Sequence, residues 1–246
     1  TAHFASETGY HGCPGVSSVK KFISPDALWP YSDNGEWFLH ASSPTEKPDE
    51  DFAYRIPLMA NQIKVLFGEI PDNLEEFSLL SQISQAEAKK YFIERFRIGK
   101  WRRTGIIWWN MLDGCPQFSD AVVDYYFEKK LAYHYIKRSQ EMAAFMCDEP
   151  DEGKIKLTGV NDYDKDVQAA YRVTDITCDK VMAEGICLLK ADSSETVAVM
   201  DMAGRGGFYL IEWKIGEKQY RNHYMAWENP VDKKKYLEMA KKAQIL

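Results

Sequence analysis

The residue types best suited to chemistry stand at two points of the chain: Glu7 near its start, and Trp108, Trp109, Asn110 and Asp113 near its middle. A carboxylate that closes a short apolar segment and is followed at once by Thr8-Gly9 has the setting of a group presented at the C-terminal end of a barrel strand. Adjacent indoles with an amide and a carboxylate at their rim suit a ligand with one flat apolar face and several hydroxyls, namely a sugar. Each feature also has a plainer account. Most glutamates are solvated loop acids, and two tryptophans in a strand commonly fill a core.

The elements that must position these residues follow from periodicity. Residues 2–6 read as a short buried strand that ends at Glu7. Residues 106–109, with Met111 close behind, form an apolar run between Gly105 and Asp113-Gly114, the profile of a strand buried on both faces of a parallel sheet. Between them lie two helical patterns. In the first, starting at residue 51, Ile56, Met59, Ala60, Ile63 and Phe67 recur at helical spacing and Gly68 supplies a stop. The second opens on Asn73 and Glu76, spaced as a capping box, and runs to about residue 99. It carries Phe77, Leu80, Ser84, Ala88, Tyr91 and Phe96 on one face, widened by Leu79, Ile83 and Ile93. Both helices read as packing elements without chemistry. Trp29, Tyr31, Trp37 and His40 fall in a loop-like stretch reaching residue 51, and Lys100 to Arg103 read as a solvated basic turn. A further helix is expected over residues 128–138. Strand, helix, strand, helix is a parallel α/β repeat.

Beyond residue 139 the texture changes. Val167, Ala169, Tyr171 and Val173 alternate with polar or small residues, as do Tyr209, Ile211, Trp213 and Ile215, and residues 196–202 are extended. Short alternating strands separated by turn-rich gaps predict an antiparallel sandwich. A terminal amphipathic helix with Tyr236, Met239, Ala240 and Ala243 on one side follows from residue 232. The expected division is residues 1–140 as α/β and 141–246 as all-β.

Composition narrows the function. With 246 residues there is room for a sizeable core, and seven Trp and 14 Tyr favour an aromatic core or a binding cleft. A net charge of -6 argues against nucleic acid or an anionic membrane as partner. No apolar run approaches the roughly 20 residues of a membrane span, and no secretory leader is seen. Cys13, Cys115, Cys147, Cys178 and Cys187 are odd in number and lack metal-ligand spacing, so reduced thiols are expected, which favours a cytoplasmic setting. The chain begins TAHFASE, as if inside a strand, and reads as a piece of something longer.

Four segments together carry a family likeness. SETGYHGCPG (residues 6–15) resembles the S-E-[FY]-G-F-Q-S-x-P-S segment of glycoside hydrolase family 2, in its β-mannosidase-like branch. SQISQAEAKKYFIERFR (residues 81–97) is similar to the helix before the last barrel strand of that family. GIIWWNMLDGCPQFSDAVVDYY (residues 105–126) resembles its G-x-x-Y-W-Q-L-N-D-C-W-P-x-x-S-W-x-x-x-D-Y-Y, and NHYMAWENP (residues 222–230) its N-H-[FY] segment. The four occur in family order over nearly the whole chain.

The resemblance implies the C-terminal part of a (β/α)8 TIM barrel followed by an immunoglobulin-like antiparallel β-sandwich, and a retaining exo-β-glycosidase activity with β-mannosides favoured over β-glucosaminides or β-galactosides. By the same resemblance Glu7 is the nucleophile at the end of the seventh strand. Trp109 floors the sugar subsite on the eighth, and Asn110 and Asp113 are polar substrate-binding positions behind it. A strained peptide at Trp109–Asn110, cis being one form of it, is also implied.

The acid/base glutamate would lie on the fourth strand, outside this chain. The partners are then the carbohydrate substrate and the upstream part of the same polypeptide, and the 246-residue portion alone is expected to be inactive. No metal or organic cofactor is called for. Asp113 and Asp124 are the candidates for the acid within this chain, but loop or helix capping accounts for both more simply. Thr8, Leu112 and Cys115 depart from the family pattern, which bears on the sugar more than on the reaction class. The competing expectation is a non-catalytic carbohydrate-binding or interaction module, with the aromatics of the sandwich as its working part and Glu7 incidental.

Overall fold

The structure, a computed structural model, describes residues 2–42, 54–202 and 206–246. Helices and strands are mixed, in the order β1 (Phe4–Thr8), α1 (Val16–Val19), α2 (Gly35–Leu39), α3 (Arg55–Phe67), α4 (Leu74–Ile98), β2 (Gly105–Trp108), α5 (Leu131–Ser139), seven strands β3 to β9, and α6 (Lys233–Lys242). By compactness the chain falls into two units. The helical unit comprises Ser6–Lys90 and Ile107–Ile136; the sheet unit comprises Thr1–Ala5, Tyr91–Ile106 and Lys137–Leu246. This division differs from a single cut at residue 140, because residues 91–106 group with the sheets.

In the helical unit, the apolar face expected of α3 is buried at all five positions, and Gly68 ends the helix at φ 85°, where a Cβ would be strained. The first three residues of that expected helix, 51–53, lie outside the described residues, as does the end of the loop-like stretch. The cap of α4 forms as its sequence requires, with the Glu76 N–H donating to Asn73 Oδ1 at 2.9 Å. The loop-like stretch holds a helix after all, α2, whose start is capped by Asn34. Trp37 on α2 is fully buried and stacks on Phe118 with ring centroids 4.1 Å apart. Trp29, Tyr31 and Phe77 pack edge-on or stacked around it, so these aromatics seal a core.

Strands β1 and β2 pair with each other and with no other strand of the described residues. The Thr104 N–H donates to His3 O and the Trp109 N–H to Thr8 O, both at 2.8 Å, so the two strands advance together and are parallel. Two expectations are corrected here. Strand β1 covers Phe4–Thr8, so it runs one residue past Glu7, and it is not buried: Phe4, Ser6 and Glu7 are exposed. Strand β2 is not buried on both faces: Ile107 is 56% exposed and Trp109, just past its end, 55%. A single neighbouring strand covers neither face, so the apolar run stays open to solvent.

In the sheet unit, β3 (Ala143–Cys147), β4 (Lys154–Asn161) and β7 (Ser193–Asp201) form one antiparallel sheet in the order β3-β4-β7. Strands β5 (Val167–Asp175), β6 (Lys180–Leu189), β8 (Phe208–Ile215) and β9 (Lys218–Met225) form a second, in the order β6-β5-β8-β9. In register, Ala143 faces Asn161 and Tyr171 faces Trp213. Inward side chains of both sheets, among them Phe145, Leu157, Val173, Ile211 and Trp213, make one shared core. The expected alternation of β5 and β8 is thus the core face of this two-sheet arrangement. Four turns between its strands pass through left-handed residues: Glu152 and Gly153 in the first, then Asp179, Asp192 and Gly216.

Helix α6 is capped by Asp232, which accepts from the Lys235 N–H, and it buries Tyr236, Met239 and Ala240 as the sequence predicts. The NHY segment lies in β9. Asn222 is buried and donates to Glu94 Oε1 at 2.6 Å and to Phe145 O at 3.2 Å, while His223 stacks on Phe208. In the basic turn Trp101 and Arg102 are exposed as expected, but Lys100 is tied down. Lys100 pairs with Asp162 and Asp192, each at 2.7 Å, and Arg97 pairs with Asp162 at 2.8 Å. These cations tie the end of α4 to the loops after β4 and β6.

Candidate functional site

Strand pairing brings the two sequence-predicted segments together. The Trp109 N–H is bonded to the carbonyl of Thr8, the residue after Glu7, so Glu7 and Trp109 stand at neighbouring ends of two parallel strands. The side chain of Glu7 is exposed. The indole of Trp109 is also open to solvent, and among the described residues no ring or cation contacts it. The Trp109–Asn110 peptide is cis.

The chain after Trp109 doubles back on itself. Asn110 O accepts from Val122 N–H, Met111 O from Val123 N–H, and Val123 O from Asp113 N–H, at 2.9–3.1 Å. Asn110 is half-buried. Its Nδ2 donates to Leu112 O at 3.2 Å, and its Oδ1 accepts from none of the described donors. Asp113 is only 3% exposed, and its Oδ1 accepts from Gln117 Nε2 and Ser119 Oγ, both at 2.6 Å. Its carboxylate therefore organises the loop from beneath and does not face solvent. Asp124 likewise accepts from the N–H groups of Tyr126 and Glu128, the loop-capping work expected of it.

Beneath both loops lies a layer of buried polar groups that sequence reasoning missed. From α4, Ser78 donates to Pro14 O at 2.8 Å and Ser81 Oγ accepts from the Cys13 N–H at 3.0 Å. Gln85 Nε2 donates to Tyr10 O and Asp120 O at 3.0–3.1 Å, and Lys89 Nζ donates to Trp109 O at 2.5 Å. Lys130, fully buried at the start of α5, donates to Gly12 O at 2.7 Å. One helix face thus holds the loop after β1 and the loop after β2 through their main chains. The glycines of SETGYHGCPG permit this approach. A Cβ on Gly12 would lie 2.2 Å from Gln85 Oε1, and one on Gly9 2.9 Å from Asp120 Oδ1. Their spacing was the visible signal; the lysine and glutamine that fill the space were not marked by any periodicity.

The electrostatics of this layer are those of a crowded interior. Burial pushes Lys89 down to about 8, opposed by the charge of Asp120 and reinforced by Lys130. Burial also lowers Lys130, against the pull of Asp113, Cys13, Asp124 and Asp120. Asp113 is raised by burial despite Lys130, Ser119 and Gln117. For Asp120 burial acts upward but is outweighed by the hydrogen bond from His11, 3.3 Å away, and by Lys89 and Arg55, so its carboxyl stays below the usual range. The described residues hold no cluster of His, Cys, Asp and Glu that would bind a metal ion. What the site presents outward are two exposed residues, Glu7 and Trp109, whose strands are joined main chain to main chain.

No family model and no curated protein matches this chain. Among solved structures it is similar to the β-D-mannosidase from Dictyoglomus thermophilum, at 24% identity over 92% of this chain and 28% of that one, with a TM-score of 0.77. It is also similar to the exo-chitosanase CsxA from Amycolatopsis orientalis, at 17% identity over 90% of this chain and 27% of that one, with a TM-score of 0.67. The chain spans less than a third of the length of either structure. The likeness shows a shared fold over nearly all of the 246 residues.

Proposed function

We propose that this chain is the C-terminal portion of a retaining exo-β-glycosidase of glycoside hydrolase family 2, with β-mannosides as the favoured substrates. The observation that carries the reading is the pairing of Trp109 with Thr8, which brings two exposed residues, Glu7 and Trp109, to neighbouring ends of two parallel strands. The fold shared with a β-D-mannosidase and an exo-chitosanase supports the same family and leaves a β-glucosaminide as the nearest competing substrate. Strands β1 and β2 are then the seventh and eighth strands of the barrel, and the open side chains of β2 meet the earlier strands of a longer polypeptide. The order β3-β4-β7 against β6-β5-β8-β9 suits an immunoglobulin-like sandwich.

In this reading the sugar lies with its apolar face on Trp109 and its anomeric carbon toward Glu7. The ionised carboxylate attacks that carbon as the glycosidic C–O bond breaks, and an acid outside this chain protonates the leaving oxygen. Water, deprotonated by the conjugate base of that acid, then attacks the same carbon and releases Glu7. Asn110 borders the subsite, and Asp113 serves it only by holding the loop. The isolated portion is inactive because two strands close no barrel and bring no proton donor. In the sheet unit Trp213 and Tyr209 belong to the core, so these two offer no binding face to the binding-module alternative.

The test is hydrolysis of 4-nitrophenyl β-D-mannoside, β-D-glucosaminide and β-D-galactoside by the longer polypeptide, with Glu7→Gln as control. Activity on the mannoside that Glu7→Gln abolishes is expected. Undiminished activity in that variant would remove Glu7 from the mechanism.

A further inference from the structure

Trp109 is held in an unusual way. Its ring has no partner among the described residues, yet the peptide groups on both sides of its Cα are fixed. The N–H is bonded to Thr8 O at 2.8 Å, from β1, and the carbonyl oxygen accepts from Lys89 Nζ at 2.5 Å, from α4. Lys89 is 1% exposed, and its ammonium also lies 5.4 Å from the ring centre of Trp108. Its one hydrogen bond among the described residues is the bond to Trp109. One hydrogen bond and the contact with Trp108 offset only part of the cost of burying an ammonium mid-helix, so stability alone does not account for a lysine here. With no ring or cation of the described residues against it, the indole depends for its position on the main-chain bonds to either side of its Cα.

We infer that Lys89 is a positioning residue for the proposed sugar subsite: by gripping the carbonyl of Trp109 from below, it sets the height and tilt of the indole on which the sugar stacks. The inference rests on the reading of Trp109 as the subsite floor. It adds a determinant from a helix that touches no substrate, acting through the backbone of the residue that does.

A shift of the floor by a fraction of an ångström changes how the ring meets the nucleophile, whereas a general loss of folded protein only lowers the amount of active enzyme. The two are separated by the split between KM and kcat. In the longer polypeptide, Lys89→Met is expected to raise KM for 4-nitrophenyl β-D-mannoside about tenfold, and Lys89→Arg, which keeps a charged donor, to restore most of the loss. An unchanged KM in Lys89→Met, alongside a raised KM in Trp109→Ala, overturns the inference and spares the subsite reading. An unchanged KM in Trp109→Ala overturns both.

Should Lys89→Met fail to fold, Lys89→Gln supplies a second variant, because its shorter side chain does not span the same distance to the Trp109 carbonyl. KM is expected to rise in Lys89→Gln as in Lys89→Met, and a folded Lys89→Gln with unchanged KM overturns the inference.

Discussion

The amide of Trp109 donates to the carbonyl of Thr8 at 2.8 Å, one residue past Glu7. This main-chain bond fixes the strand ends that bear the carboxylate and the indole against each other, whatever their side chains are. Substitution of Glu7 is therefore expected to remove chemistry without disturbing the site. Glu7→Gln should lower hydrolysis of aryl β-mannosides by the longer polypeptide by about 10⁴-fold or more, with the thermal midpoint unchanged. The 246-residue chain alone should release no nitrophenol at any concentration, and measurable turnover by it would refute the missing-acid account.

Trp109 offers a clean separation of stability from binding. Its side chain is more than half exposed, so Trp109→Ala should change the free energy of unfolding by less than about 0.5 kcal/mol. Sugar affinity, measured by calorimetry, should fall about tenfold through loss of the stacking face. A large loss of stability would mean that the ring packs as a core residue.

Lys89 makes stability depend on alkaline pH. Its pKa is about 8 in the folded chain against an ordinary 10.5. Below pH 8 both states carry the proton; between 8 and 10.5 the unfolded chain binds it and the folded chain does not. Stability should rise across that window, by up to about 3 kcal/mol, as the buried charge is relieved. Urea unfolding of wild type and Lys89→Met at pH 7.5 and 10 would show the wild type gaining on the variant. Parallel behaviour would place Lys89 in solvent.

Asn222 is the keystone of the NHY segment. Its amide serves Glu94 on α4 and Phe145 O on β3, both buried. Asn222→Ala should cost about 1–3 kcal/mol, because two buried acceptors each lose a donor. Denaturant midpoints would measure this. An unaffected midpoint would show that water replaces the amide.

Elements with strong periodicity were legible in the sequence: the five-residue face of α3, the Asn73 cap of α4, the alternation of β5 and β8, and the apolar side of α6. So was the pairing of the segments around Glu7 and Trp109, through motif order. Two kinds of feature were not. Strand β3 is buried at every position and so shows no alternation, and α2 is too short for a period to emerge. The chemistry of α4 was hidden because Gln85 and Lys89 read as polar positions that belong in water. Only three-dimensional proximity to the carbonyls of Tyr10 and Trp109 turns them into interior groups. For Asp113 the sequence offers two accounts, a polar position behind the aromatic floor and a loop cap; its partners, Ser119 and Gln117, lie in its own loop and favour the cap.

Among the described residues, the ribbon formed by β1 and β2 has no further strand on either side, and an open isoleucine, Ile107, lies on its surface. Such rims invite a further strand from any donor. Handled in isolation and concentrated, these molecules should stick to one another rim to rim. Supplied instead with the complementary stretch of polypeptide, made as a separate chain, they should remain dispersed, so that dispersion itself becomes an assay for reassembly.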